Sequence, residues 1–287
     1  MSWHVFRLYS DVQTRKLNGK KLLKRLWREL IEDHVAHGAA ALAFYMALAL
    51  FPGAIFALSV LPSVPIPHLQ QAATDLIHQT LPGASADVLV KSALSGNARG
   101  RLLWFSLLFA IWSASSGVSG VIQQLNVVYE VQEDRSFLRL RGLAVLLALA
   151  FFGLMIAAVS LAVFGGTLQA FIGGSLGWSQ ALLTTFAVLR WIIIVSALHF
   201  AFALVYYLGP NVKHPFALFT PGSVTATAAL LLASGALKLY VSRFSTVNAL
   251  YGGLGAVIVL LVWLFLAGWV ILFGGELNDV VARERAR

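Results

Sequence analysis

Leu250–Gly275 reads LYGGLGAVIVLLVWLFLAGWVILFGG, without one charged side chain. A helix rising 1.5 Å per residue over such a run spans a hydrocarbon core of about 30 Å. In lipid, a lone extended segment would leave its backbone N–H and C=O groups unsatisfied, so the run reads as a helix. Five more stretches have the same character: about Ala39–Leu61, Leu102–Val128, Gly142–Phe164, Ala181–Leu208 and Pro221–Tyr240. The fold expected is an all-α integral membrane protein with six transmembrane helices. Composition agrees. The 287 residues are 59% hydrophobic and 11% charged, against about 25% charged in a soluble domain. The absence of cysteine excludes disulfides, thiolate nucleophiles and Cys-ligated metal centres.

The connections divide the chain. Residues 1–38 form a basic amphipathic segment, 39–275 the bundle, and 276–287 a basic tail. Within the first, Leu22, Leu23, Leu26, Trp27, Leu30 and Ile31 recur at helical spacing, with Lys20, Lys21, Lys24, Arg25 and Arg28 opposite. Such a helix lies in the membrane interface, each basic residue adding about 1 kcal/mol with anionic headgroups. Nothing after it resembles a signal-peptide cleavage site. Pro52 predicts a kink in the first span. Two short amphipathic patterns over about 68–95 predict a helical hairpin on the outer side, and 165–180 reads as a charge-free loop. Orientation follows from the basic residues. With both termini in the cytoplasm, fifteen Lys and Arg lie inside and five (Lys91, Arg99, Arg101, Lys238, Arg243) outside, as the positive-inside rule requires.

The titratable inventory limits the chemistry. None of the twelve acids falls mid-span, which argues against a carboxylate proton relay. Glu130, Glu133 and Asp134 are interleaved with Arg135 and Arg139 and read as a self-paired turn. His34 and His37 lack a clear third metal ligand, and no Gly-x-Ser-x-Gly elbow is present. Neither a catalytic residue, a metal nor a cofactor is expected.

The one deep charge is Arg190, about 13 Å from the outer end of its helix at 1.5 Å per residue. It reads either as a site for a phosphate or carboxylate or as a structural arginine bonded to carbonyls. Tyr45, Asn126, Tyr206 and Tyr251 join it as candidate substrate-binding residues, with interhelical hydrogen bonding as the alternative role. Ser113, Gly117, Gly120, Gly252 and Gly255 read as helix-packing positions.

Ala41-Leu-Ala-Phe-Tyr45, Phe51-Pro52, Trp112-Ser-Ala-Ser-Ser-Gly117, Leu125-Asn126, Tyr129, Pro221-Gly222, Tyr251-Gly-Gly-Leu-Gly-Ala256, Trp263 and Gly274-Gly-Glu-Leu-Asn278 occur in order. Together they resemble the YihY/virulence factor BrkB family of bacterial inner-membrane proteins over roughly Lys20–Val280. The resemblance implies a multi-pass, six-helix protein of the bacterial inner membrane. Some members carry an old label as a tRNA-processing ribonuclease, others a link to serum resistance. The acid inventory disfavours the nuclease. The expectation is a non-enzymatic protein that transports or flips an anionic or amphiphilic lipid or envelope precursor; the alternative is an assembly factor for other membrane proteins. Expected partners are membrane lipids, with anionic headgroups at the N-terminal helix, and no nucleic acid; self-association is left open.

Overall fold

A computed structural model of the protein describes residues 19–60, 99–176, 179–243 and 253–285. These form seven helices and, among the described residues, no strand. In chain order they are α1 (Gly19–Glu32), α2 (Val35–Val60), α3 (Arg99–Val128), α4 (Phe137–Leu176), α5 (Gln180–Leu208), α6 (Pro221–Arg243) and α7 (Gly253–Arg285). The expected hairpin at 68–95, together with Tyr251 and Gly252, lies outside the described residues.

Local chemistry explains where the helices stop. α3 ends in two bonds, Val131 N–H to the Asn126 carbonyl and Glu130 N–H to the Val127 carbonyl, both 2.9 Å. That is a Schellman closure, which needs a left-handed residue; Glu130 supplies it at φ 49°. His34 does the same between α1 and α2 at φ 50°. α6 begins with Pro221, whose missing N–H costs nothing in a first turn. Thr220 and Ser223 cap it reciprocally: each backbone N–H donates to the other's hydroxyl, at 2.9 and 3.0 Å.

Two boundaries differ from the sequence reading. The expected loop 165–180 is helical to Leu176. Residues 137–176 contain no proline, and an interior glycine costs a helix only about 1 kcal/mol. Breaking backbone hydrogen bonds in lipid costs several, so the glycines do not end α4. α7 likewise continues past Gly275 through the polar stretch to Arg285. α2 runs unbroken through Pro52.

Among the described residues four segments are long and apolar enough to cross a membrane: Phe137–Ala158, Gln180–Leu208, Pro221–Val241 and Val257–Arg285. Their large side chains point outward. Trp191, Ile192 and Ile193 on α5 and Leu232 on α6 are exposed, as are Trp104, Phe105 and Trp112 on α3. Each such side chain left in water forgoes roughly 1.5–3 kcal/mol of burial. Lipid is the solvent this surface fits.

The described helices fall into two compact units. One comprises Met1–Val35, Ile122–Ala229 and Val270–Arg287 and contains α1, α4, α5 and the polar end of α7; α4 packs along α5. The other comprises Ala36–Val121 and Leu230–Trp269. In this second unit the small residues of α3 meet α2. A Cβ on Gly120 would lie 3.3 Å from the Tyr45 ring and 3.4 Å from Leu42, and one on Gly117 3.9 Å from the Tyr45 backbone. Ser113 reaches the Leu48 carbonyl at 3.5 Å, the outer limit of a hydrogen bond. Gly268 brings α7 onto α2, where a Cβ would sit 3.0 Å from the Ala39 carbonyl oxygen.

Candidate functional site

The first unit concentrates the polar chemistry, and its centre is the α3–α4 turn. Arg135 grips Glu133 with Nε at 2.7 Å and Nη2 at 2.6 Å. It also donates to the last carbonyls of α5, from Nη1 to Leu208 at 3.2 Å and from Nη2 to Gly209 at 2.8 Å. Terminal carbonyls lack partners within their own helix and carry the negative end of its dipole, so a cation belongs there. Asn126 completes the lattice. Its amide donates to Glu133 at 2.8 Å, and its oxygen accepts the Asn211 N–H at 2.7 Å. The hydrogen bonds from Arg135 hold the Glu133 carboxyl below its ordinary range against the opposing pull of burial, and Asn126 adds to the lowering. The turn is therefore self-paired through Glu133 and Arg135. Glu130 pairs elsewhere, with Arg283 of α7 at 2.7 Å.

A second lattice joins α5, α6 and α7. Gly222 N–H donates to Asn278 Oδ1 at 2.7 Å, and Tyr206 donates its hydroxyl to the Ile271 carbonyl at 2.9 Å. Both contacts need glycine. A Cβ on Gly222 would run into the Gly274 carbonyl, and one on Gly274 into the Tyr206 hydroxyl. His199 bonds Thr227 at 3.1 Å and the Leu218 carbonyl at 2.9 Å, with its ring stacked on Phe219. Asn126 and Tyr206 thus both sit in this unit, Asn126 bonded to the turns after α3 and α5 and Tyr206 to α7. Tyr45 lies in the other unit, half exposed, its ring edge toward Phe44. Gly255 is buried.

Arg190 is different. Its Nε and Nη1 atoms are buried and meet no hydrogen-bond partner. The side chain lies over Gly165 of α4, where a Cβ would strike its Cδ, and beside Gly166. Trp191 offers a ring centroid 5.9 Å from the guanidinium, a cation–π contact worth about 0.5–1 kcal/mol at an exposed site. Gly165 was not foreseen as a site residue, because its role depends on a partner 25 positions along the chain.

A cleft of about 630 Å³ opens beside the turn, lined by residues including Arg135, Tyr207, Asn211, Lys213 and His214. Its arginine is already committed to Glu133 and the α5 carbonyls, which leaves exposed Lys213 as its main cationic contribution.

Ion pairs gather where α1 meets the end of α7. Arg25 bridges Glu29 at 3.3 Å and Glu284 at 3.1 Å, and Arg283 bridges Asp279 and Glu130, both at 2.7 Å. Arg25, expected at the membrane surface, is turned inward. Lys20, Lys21, Lys24 and Arg28 stay exposed. Leu23, Trp27 and Ile31, one helical turn apart, form an exposed apolar stripe on α1, while Leu26 is buried. Among the described residues no three or more His, Asp or Glu side chains are grouped to hold a metal.

Three sequence motifs far apart in the chain, Leu125-Asn126, Pro221-Gly222 and Gly274–Asn278, thus converge on these lattices. The profile of the virulence factor BrkB family matches residues 26–287. The chain belongs to this family. A "putative ribonuclease-like protein YfkH" of Bacillus subtilis (strain 168) is 33% identical over 269 residues, covering 90% of this chain and 95% of its own length. A UPF0761 membrane protein of Psychromonas ingrahamii is 24% identical, covering 88% of this chain and 85% of its own. For UPF0761 membrane protein VP0125 of Vibrio parahaemolyticus the values are 24%, 91% and 82%. No solved structure matches. The protein is a membrane protein of the BrkB family, and the polar lattices are built on motifs by which the sequence resembles that family.

Proposed function

We propose that this BrkB-family protein moves or flips an anionic amphiphile, a lipid or envelope precursor, across the bacterial inner membrane without catalysing a covalent reaction. The observation that carries the reading is Arg190, whose Nε and Nη1 are buried without a partner in a helix apolar enough to span a bilayer. An arginine in a span costs at least about 2.5–3.5 kcal/mol. An unpaired one repays that cost only if something else binds it, and a phosphate or carboxylate accepts two parallel N–H bonds from a guanidinium.

Six spans with both termini in the cytoplasm complete the proposal. α2 and α3, at 26 and 30 residues, are long enough to join the four apolar segments. The stripe Leu23–Trp27–Ile31, with exposed lysines around it, supports a helix lying among anionic headgroups. The non-enzymatic part draws support from Glu133, already committed to Arg135 and Asn126.

The test is translocation of a labelled anionic phospholipid by purified protein in liposomes. Arg190→Ala is expected to lower the rate tenfold or more, and Arg190→Lys to restore part of it. Wild-type vesicles no faster than protein-free ones, with Arg190→Ala leaving the cell phenotype of a deletion fully complemented, would sink the reading. Stable co-purifying membrane proteins alongside that tolerance would favour an assembly role.

A further inference from the structure

The far end of α7 holds a carboxyl that the ion-pair network leaves out. Glu276 is 1% exposed, and neither of its oxygens has a hydrogen-bond partner. The side chain within hydrogen-bonding reach is another acid, Asp33 of the α1–α2 turn. Two ionised carboxylates can only accept, so their contact is repulsive; with one proton between them it becomes a hydrogen bond.

The neighbours do not remove the problem. Arg25 on α1 is taken by Glu29 and Glu284, and Arg283 on α7 by Asp279 and Glu130. Arg28, largely exposed, reaches Glu29 at 3.7 Å and Glu32 at 3.8 Å. His34 in the turn and His37 in the first turn of α2 are both exposed and both have contacts of their own. Glu29, Glu130 and Asp279 therefore add negative charge around Asp33 and Glu276, while the two inward arginines are shared among four other acids.

We propose that Asp33 and Glu276 form a proton-binding site, in which one shared proton latches the α1–α2 turn onto α7 and its departure frees the turn. Burial raises the Asp33 carboxyl above its ordinary value, against the lowering by its hydrogen bond with Glu276 and by the Arg283 charge, while the charges of Glu29 and Glu130 act in the same sense as burial. The left-handed backbone at His34 is a strained conformation of the kind that persists only when its surroundings hold it, and the latch sits one residue away. A proton suits the site better than a metal, since the described acids and histidines are not grouped for one. The site does not involve Arg190, so it stands or falls apart from the proposed transport.

The experiment is infrared difference spectroscopy of the full-length protein in liposomes, titrated through neutral pH. Wild type should show a protonated-carboxyl C=O band at neutral pH that shifts in D₂O. Glu276→Gln should abolish it, and Asp33→Asn should move its titration to lower pH by removing the neighbouring charge. Protease sensitivity of the α1–α2 turn should rise with pH in wild type and stay flat in Glu276→Gln. The proposal is overturned if wild type lacks the band, a result that needs no variant to fold. It is also overturned if both variants keep the band unchanged, or if Na⁺ or Mg²⁺ stabilises wild type but not Glu276→Gln.

Discussion

Two arginines of the same unit face opposite circumstances. Arg135 sits in a turn and spends its guanidinium on Glu133 and two helix-end carbonyls. Arg190 sits within a candidate span, packs on Gly165, and leaves Nε and Nη1 without a partner. The first charge is consumed in holding the fold together. The second costs the fold energy, and under the proposed function it is the one that meets the ligand. Charge alone does not separate the roles; the census of satisfied donors does. The comparison makes a sharp demand, that the first arginine matter for stability and the second for activity.

The largest effect is expected at Arg135. Its alanine variant leaves the mostly buried Glu133 carboxylate with two donors, the Asn126 amide and the backbone N–H at position 135, and strands the Leu208 and Gly209 carbonyls. Removing one partner of a buried pair costs about 3–5 kcal/mol. Partial exposure of this pair, with side chains about one-fifth accessible, places the loss toward or below the lower end. Thermal unfolding in detergent would show it. Lysine should not rescue, because it lacks the planar fork that reaches Glu133 and both carbonyls. A melting temperature unchanged in Arg135→Ala would break the comparison on its structural side.

A smaller effect, of opposite logic, is expected at Arg190. Gly165→Ala places a methyl group where the Arg190 side chain lies, and overpacking of that kind costs about 1–3 kcal/mol. In an Arg190→Ala background the same change should cost little. The coupling in this double-mutant cycle, about 1 kcal/mol or more, would confirm that the guanidinium lies against α4. Arg190→Ala alone should leave stability equal or higher, since it removes a guanidinium whose buried Nε and Nη1 lack hydrogen-bond partners. Additive variants would place the arginine elsewhere and remove the reason for assigning it a ligand.

Four apolar segments able to cross a membrane were legible in the sequence, because long apolar runs with Lys and Arg at their flanks have one good solvent. Arg190 was legible for the same reason, a single charge inside such a run. The course of α4 beyond Phe164 was not, because Gly165, Gly166, Gly173 and Gly174 look like a loop, and only the packing shows that Gly165 makes room for Arg190. In the sequence Glu276 opens the basic tail 276–287, with nothing to mark it as buried. Its neighbour Asp33, in the α1–α2 turn, lies more than 240 positions earlier in the chain. For Asn126 and Tyr206 a hydrogen-bonding role between helices was legible, yet not its partners, because hydrogen-bond partners far apart in sequence leave no periodic trace. The glycines of Pro221-Gly222 and Gly274-Gly275 did carry a signal, as motifs, without saying that they touch.

The smallest expected effect separates two acids by the sign of their pH dependence. Glu133 is held below its ordinary value of 4.5, so the folded state binds fewer protons there than the unfolded chain. Its contribution is fully present above that ordinary value and is lost as pH falls through the lowered one. Asp33 is raised above its ordinary 3.8. The folded state binds more protons there, so stability falls as pH rises from that value through the raised one. Glu133→Gln should therefore flatten the acid limb of a stability–pH curve and lower the plateau at neutral pH. Asp33→Asn should leave the acid limb and raise the plateau, because it removes a charge that burial and the Glu29 carboxylate oppose. Measured as unfolding midpoints across pH in one detergent, the two curves should move in opposite directions at neutral pH. If Asp33→Asn lowered stability there as Glu133→Gln does, the turn at Asp33 would be held by its negative charge, and a shared proton could not be its latch.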